Sequence, residues 1–231
     1  PEQRVELQRL HVSVNHANQA IYEAQAANPD FQGMGTTLVA AMFRDDHVFY
    51  AHVGDSRLYR WREGCLSRLT ADHSLVEELV ARGLYTREEA LERVSKNYVT
   101  RGLGTDDTVE VDLGMRPFEI GDLYLLCSDG LTDMVGPEAI AAVCRDQSEL
   151  PALARALVDT ANEYGGRDNI SVLAVRIDAR FESIPHERLD IAGCSDPGRR
   201  RPHNEDSLAW SRSRGIAVVA DGVGGLNAGE V

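Results

Sequence analysis

Two pairs of β-forming runs lie three residues apart, and this spacing limits the folds open to the chain. Residues 36–43 (TTLVAAMF) and 47–53 (HVFYAHV) flank Arg44-Asp45-Asp46. Residues 57–61 and 65–69 flank Arg62-Glu63-Gly64. Three residues cannot hold a crossover helix, so each pair reads as a hairpin and the sheets as antiparallel. Further strands are expected at 108–115, 122–127, 170–177, 189–194, 207–210 and 216–220. Helical spacing predicts a helix over 4–27, ended by Asn28-Pro29-Asp30, and helices near 137–145 and 148–164. Residues 73–104 break the strand rhythm with two short helical patterns, 74–82 and 86–94, and Thr86 with Glu89 has capping-box spacing. This stretch reads as an inserted helical flap.

With 231 residues, the chain is sized for one large domain or two small ones. A net charge of −13 argues against nucleic acid or an anionic membrane as partner. Four cysteines with no C-x-x-C pair point to reduced thiols rather than a zinc or redox motif. No apolar run approaches the roughly 20 residues of a spanning helix, and no signal peptide opens the chain. A soluble cytoplasmic protein is the expectation. Gly222–Gly225 is neither a Walker loop nor a full G-x-G-x-x-G.

The chemistry lies where apolar runs meet carboxylates. Asp221 follows Ile216-Ala217-Val218-Val219-Ala220, Asp129 follows an apolar run and Ser128, and Asp168 stands just before 170–177. Glu205-Asp206 adds two carboxylates on a loop. Any one Asp-Gly is ordinary turn chemistry. Together, such carboxylates would repel unless cations neutralised them, and hard cations prefer oxygen ligands of this kind.

The motifs resemble those of metal-dependent serine/threonine protein phosphatases of the PPM (PP2C-like) family, in the compact bacterial form. The resemblance rests on Arg201-x-x-Asn204-Glu205-Asp206, Asp221-Gly-Val-Gly-Gly with Ala228-Gly229-Glu230, and Gly33-Met34-Gly35-Thr36-Thr37. It extends to Val53-Gly54-Asp55-Ser56-Arg57, Leu69-Thr70-x-Asp72-His73-Ser74-Leu75 and Thr100-Arg101-Gly102-Leu103-Gly104. Cys127-Ser128-Asp129-Gly130-Leu131-x-Asp133 and Gly166-Arg167-Asp168-Asn169 complete it.

The resemblance implies an α+β fold, a four-layer α-β-β-α sandwich of two antiparallel sheets flanked by helices. It implies Mn²⁺ or Mg²⁺, with Asp221 bridging two ions, Asp129 and Asp168 on one, and Glu205 and the Gly222 carbonyl on the other. A third, weaker ion would sit near Asp55 together with Asp129. Asp206 and Asn169 would orient ligands or water, and Arg201 would bind the substrate phosphate. The implied reaction is hydrolysis of phosphoserine and phosphothreonine by a metal-bridging hydroxide, with proteins phosphorylated by a bacterial kinase as substrates and a monomer as the working unit. A phosphatase for one dedicated regulator, a catalytically silent module sensing phosphopeptide or metal, and a metal nuclease are rival readings. The intact carboxylate set disfavours silence, and the net charge disfavours a nuclease.

Three departures stand out. Val223 occupies the position where animal members often carry a histidine, proposed as leaving-group acid, so a water, or else His203 or His73, would have to serve. In the flap, Arg93-Val94, followed by Lys96-Asn97, replaces the usual His-Pro before Arg-Asn. Finally, the motifs run in circularly permuted order within one domain. Residues 1–177 match the central and C-terminal part of the family, 178–188 form a connector, and 189–231 match its N-terminal part. After Val231 the family would continue a helix before the segment resembling residues 1–27. A natural permutation, an engineered one, and pieces set out of genetic order all fit.

Overall fold

A computed structural model of the chain describes residues 2–94, 98–178 and 189–223. Residues 179–188 of the expected connector, Lys96-Asn97, Gly224-Gly225 and Ala228-Gly229-Glu230 lie outside the described residues.

Both hairpins form where the sequence places them. β1 (Gly35–Thr36) precedes β2 (Leu38–Arg44), which pairs with β3 (His47–Val53), Leu38 opposite Val53 and Arg44 opposite His47. β4 (Arg57–Arg62) pairs with β5 (Cys65–Arg68). The remaining strands are β6 (Asp112–Pro117), β7 (Leu123–Cys127), β8 (Ile170–Ile177), β9 (Leu189–Asp196), β10 (Asp206–Ser211) and β11 (Ile216–Val223). They form two antiparallel sheets. One has the order β1-β11-β2-β3-β6, with β10 also paired to β11; the other has the order β5-β4-β7-β8-β9.

The period-two alternation of β7 and β8 separates two hydrophobic layers. Leu123, Leu125, Ile170, Val172 and Ala174 face the helices. Tyr124, Leu126, Leu173, Val175 and Ile177 meet Val39, Phe43, Ala217 and Val219 of the other sheet. A strand buried on both faces needs apolar residues at every position, which is why β7 reads Leu-Tyr-Leu-Leu-Cys without a polar break. α1 (Glu2–Ala27) covers the outer face of the first sheet through Leu10 and Val14, which pack with Met42, Phe49 and Leu103. The flap holds α2 (Leu75–Ala81) and α3 (Arg87–Arg93), and the Thr86–Glu89 capping box forms with both its hydrogen bonds. α4 (Asp129–Thr132), α5 (Pro137–Asp146) and α6 (Leu150–Glu163) cover the second sheet, with Leu150, Leu153, Leu157 and Ala161 of α6 facing inward. The layers are therefore α-β-β-α.

Four local expectations are corrected. Asp206, expected on a loop, begins β10, because it pairs across to Asp221 of β11. The strand expected at 108–115 begins only at Asp112, because residues 105–108 turn around the polar Asp106-Asp107. Asp129 opens a short helix rather than the plain turn that an Asp-Gly pair suggests. Asp221 does not end its strand, since Gly35 and Thr36 pair with Val223 and Gly222 and carry β11 past it.

His52, on β3, is 1% exposed, and neither of its ring nitrogens has a hydrogen-bond partner among the described residues. Burial, reinforced by the neighbouring His73, lowers its pKa to about 4. The unfolded chain therefore takes up a proton here near pH 6.5 that the folded chain refuses until about pH 4. The neutral ring's contribution to stability is intact above that window and is lost as pH falls through it, by up to roughly 3 kcal/mol. Urea unfolding from pH 7 to 4.5 should show His52→Leu losing less stability on acidification than the natural chain; parallel curves would contradict this.

Candidate metal centre

Four chain segments converge where the two sheets meet the flap. The apolar run of β7 delivers Ser128 and Asp129. The turn before β8 delivers Asp168 and Asn169, and the β10–β11 pair delivers Asp206 directly opposite Asp221. Val53-Gly54, after β3, delivers Asp55. Like charges opposed across a strand pair repel, and here they are also withdrawn from water. Burial first, then Asp206, Asp129, Asp55 and Asp168, hold the Asp221 carboxyl well above the usual carboxylate range. Asp129 is pushed up to about 8 by burial and then by Asp55, Asp133, Asp168 and Asp206. Asp55 rises to about 6, through burial and then Asp72. Asp206 is raised mainly by burial.

Hydrogen bonds from neutral side chains hold this repulsive set in place. Ser128 Oγ donates to Asp206 Oδ2 at 2.8 Å and accepts from the Ser171 amide at 3.0 Å. Asn169 spends its whole side chain on backbone: Nδ2 donates to the carbonyls of Pro197 (3.1 Å) and His203 (2.8 Å), and Oδ1 accepts from the Glu205 amide (2.8 Å). The Gly222 amide donates to the Glu205 carbonyl at 3.2 Å, which sets Glu205 beside the end of β11. The Thr36 hydroxyl and the Thr37 amide both donate to the Asp221 carbonyl, each at 2.9 Å.

Each expected site residue can now be placed. Asp55, Asp129, Asp168, Asp206 and Asp221 share one electrostatic cluster. Glu205 and Gly222 adjoin it through backbone, and Asn169 braces it. Arg201 stands at the rim, half-exposed, with Nη2 2.7 Å from Asp168 Oδ2. His73 is 6% exposed and both its ring nitrogens are engaged, unlike a free acid at a cleft. Ser128, Ser171, Thr36 and Thr37 were not singled out as site residues, although Ser128 and both threonines lie inside the motifs that located the carboxylates. A cleft of about 180 Å³ separates the flap from the cluster, lined by Val76, Arg87 and Leu91 on one side and Asp55, Asp129 and Asp133 on the other.

The donor set suits hard divalent cations. It is all oxygen, and Asp206 Oδ1 is buried with no hydrogen-bond partner among the described residues. Stacked carboxylates with an unpaired oxygen need positive charge beyond what Arg201 supplies.

The sequence matches the family Protein phosphatase 2C over residues 2–170. The chain belongs to this family. It is 41% identical over 169 residues to "Serine/threonine phosphatase stp" of Listeria monocytogenes serotype 4b, covering 73% of this chain and 67% of the relative. It is 39% identical over 171 residues to "Serine/threonine protein phosphatase PstP" of Mycobacterium tuberculosis, covering 74% of this chain and 33% of that one. The crystal structure of Mycobacterium tuberculosis PstP/Ppp superposes with a TM-score of 0.71 at 38% identity, over 75% of this chain and 73% of that chain. A structure of the PstP catalytic domain in complex with two manganese ions gives a TM-score of 0.64 at 32% identity, over 94% of this chain and 71% of that chain. The family's metal dependence agrees with the donor set described above.

Gly130 is where the cluster is most tightly built. A Cβ there would lie 1.9 Å from the Asn169 carbonyl oxygen. Gly130→Ala should push Asp129 away from Asn169, costing about 2 kcal/mol or more in thermal or urea unfolding and most of the phosphatase activity. Full activity in a folded Gly130→Ala protein would show that this contact does not set the site.

Proposed function

We propose that the carboxylate cluster is a two-metal centre with which this serine/threonine protein phosphatase hydrolyses phosphoserine and phosphothreonine. The observation that carries the reading is the convergence of five aspartates, two of them buried and one of those, Asp206, with an unpaired oxygen, in a chain of this family. In this assignment Asp221, Asp129, Asp168, Glu205 and the Gly222 carbonyl would hold two ions, Asp221 being shared between them, and Asp55 with Asp129 would hold a third and weaker one. Mn²⁺ or Mg²⁺ bound there supplies Lewis-acid activation of the attacking water and neutralises phosphate charge.

The chain's own residues do the rest. Asn169 and Ser128 keep Glu205 and Asp206 from drifting apart under repulsion. Arg201 presents a guanidinium fork at the rim, where it can bind phosphate oxygens and stabilise charge developing on them. Asp168 holds that fork in place. Val223 is exposed and has no proton to give, and both ring nitrogens of His73 are engaged, so water, or else His203, protonates the departing serine or threonine oxygen. The flap cleft receives the polypeptide that carries the phosphate. Its substrates are proteins phosphorylated by a bacterial serine/threonine kinase, met as a monomer in the cytoplasm. Among the described residues no helix is long and apolar enough to cross a membrane.

Purified protein should hydrolyse p-nitrophenyl phosphate and a phosphothreonine peptide only with Mn²⁺ or Mg²⁺, and EDTA should silence it. Asp221→Asn and Asp129→Asn should each retain less than about 1% of the activity. Metal-independent turnover, or near-full activity in either variant, would sink the assignment.

We further propose that residues 1–231 form a single domain whose family motifs stand in circularly permuted order. In support, β9 pairs with β8 along its full length, and β11 lies beside β1 and β2, so 189–223 complete both sheets. Peptide mapping by mass spectrometry should recover a peptide running unbroken through 178–188. Recovery of new termini within that stretch would refute the covalent order.

A further inference from the structure

A second cluster sits beside Gly54, next to the carboxylates but not among them. Ring nitrogens of His52 and His73 and a carboxylate oxygen of Asp112 lie within 4.8 Å of one another. Two imidazoles and a carboxylate are a donor set that zinc accepts. The hydrogen bonds decide otherwise. The Gly54 amide donates to His73 Nδ1 at 3.1 Å, so that nitrogen keeps its lone pair and the neutral ring carries its proton on Nε2. His73 Nε2 lies 3.2 Å from Asp112 Oδ2 and 3.4 Å from Arg101 Nη1; a protonated Nε2 cannot accept from the guanidinium, so its proton is directed to the carboxylate. Asp112 Oδ1 accepts from Arg101 Nη1 at 3.2 Å. A metal-bound histidine donates from its other nitrogen, whereas His73 accepts there. The guanidinium on the shared carboxylate also repels a cation.

This geometry makes a clamp. The His73 amide donates to the Gly54 carbonyl at 2.7 Å, so His73 grips Gly54 at both its N–H and its C=O. Gly54 has φ +105, and a Cβ there would lie 2.5 Å from Thr37 Cβ, so its peptide has little room to move. The next residue is Asp55. On its other side, the His73 carbonyl accepts from the Thr100 amide at 2.8 Å, and Leu75 bonds Tyr98 at 3.0 Å. His73 therefore stands where the flap leaves the sheet and where it returns. His52 fills the space behind, its ring centroid 4.7 Å from that of His73.

We propose that His73 is a positioning residue: Asp112, itself held by Arg101, fixes its tautomer, and through Gly54 it couples the base of the flap to the placement of Asp55. The coupling to the reaction rests on the reading of Asp55 given above. The grip on Gly54 does not.

The test uses His73→Leu, His73→Asn and Asp112→Ala, with amide hydrogen exchange followed by NMR on metal-free protein. An asparagine Oδ1 takes the place of Nδ1 and can accept from the Gly54 amide. His73→Leu should speed exchange at Gly54 by roughly tenfold, the worth of one hydrogen bond. His73→Asn should restore most of that protection, and Asp112→Ala, at a half-exposed position, should fall between them. Turnover of a phosphopeptide at saturating Mn²⁺ should follow the same order, while the midpoint of global unfolding should not follow it. Unchanged Gly54 exchange in His73→Leu, equal damage in His73→Asn and His73→Leu, or a Zn²⁺ site seen by calorimetry that Asp112→Ala abolishes would each overturn the proposal. Exchange changes with activity untouched would count against the role of Asp55, and so against the coupling, while leaving the grip on Gly54 intact.

Discussion

Mutual repulsion among Asp55, Asp129, Asp168, Asp206 and Asp221 is the constraint around which the structure is organised. Withdrawing even one carboxylate from water costs several kcal/mol, and neighbouring like charges add to that cost. A loop could relax by swinging such groups apart. This fold limits such movement by holding the carboxylates in or close beside regular elements: β11 and β10 for Asp221 and Asp206, α4 just after β7 for Asp129, the turn before β8 for Asp168, and the turn after β3 for Asp55. The apolar layer between the sheets supplies that rigidity. Tyr124, Leu126, Leu173, Val175, Val39 and Val219 hold the two sheets in fixed relation, and the aspartates stand at one end of that layer.

The polar bracing then follows a pattern. Neutral groups, rather than cations, do most of the holding. Asn169, Ser128, Ser171, Thr36 and Thr37 bond backbone or carboxylate oxygen without adding charge. Arginines elsewhere pair with carboxylates outside the cluster, as Arg57 and Arg68 do with Asp72. Among the described residues Arg201 is the arginine seen to pair with a carboxylate of the cluster, and it does so from the exposed rim. An interior lined by neutral donors leaves Asp55, Asp129, Asp206 and Asp221 without a cationic partner among the described residues, and on the proposed reading this fits them as metal ligands. The proposed roles, phosphate binding at Arg201 and metal binding at the aspartates, would thus be two consequences of one distribution of charge.

Much of this was legible in the sequence, for reasons that can be named. The hairpins were readable because three-residue gaps admit little else, and the flap because Thr86 and Glu89 cap a helix locally. The carboxylates were readable as motifs, each confined to a few adjacent residues. What escaped depends on partners distant in the chain. Asp221 was expected at a strand end, yet Gly35 and Thr36, some 185 residues earlier, extend its strand. The role of Asn169 lies in Pro197, His203 and Glu205, between 28 and 36 residues away. The helix at Asp129 was invisible because four residues carry no periodicity.

His73 marks the same boundary from the other side. Its motif is legible in the sequence, where a histidine near the site is a candidate leaving-group acid. Two hydrogen bonds decide against that role: a ring that accepts from the Gly54 amide and donates to Asp112 has both nitrogens committed. Burial and the nearby Arg101 lower its pKa, and Asp112 opposes them, so the ring is favoured in its neutral form, and the Gly54 amide at Nδ1 selects the tautomer. The chemical identity of a residue was thus readable from sequence, while its task was set by which nitrogen bears the proton. That in turn was set by a glycine 19 residues before it and an aspartate on the edge strand β6. Where a side chain has two distinct faces, its function belongs to the pair of contacts it makes, and only the folded chain brings both together.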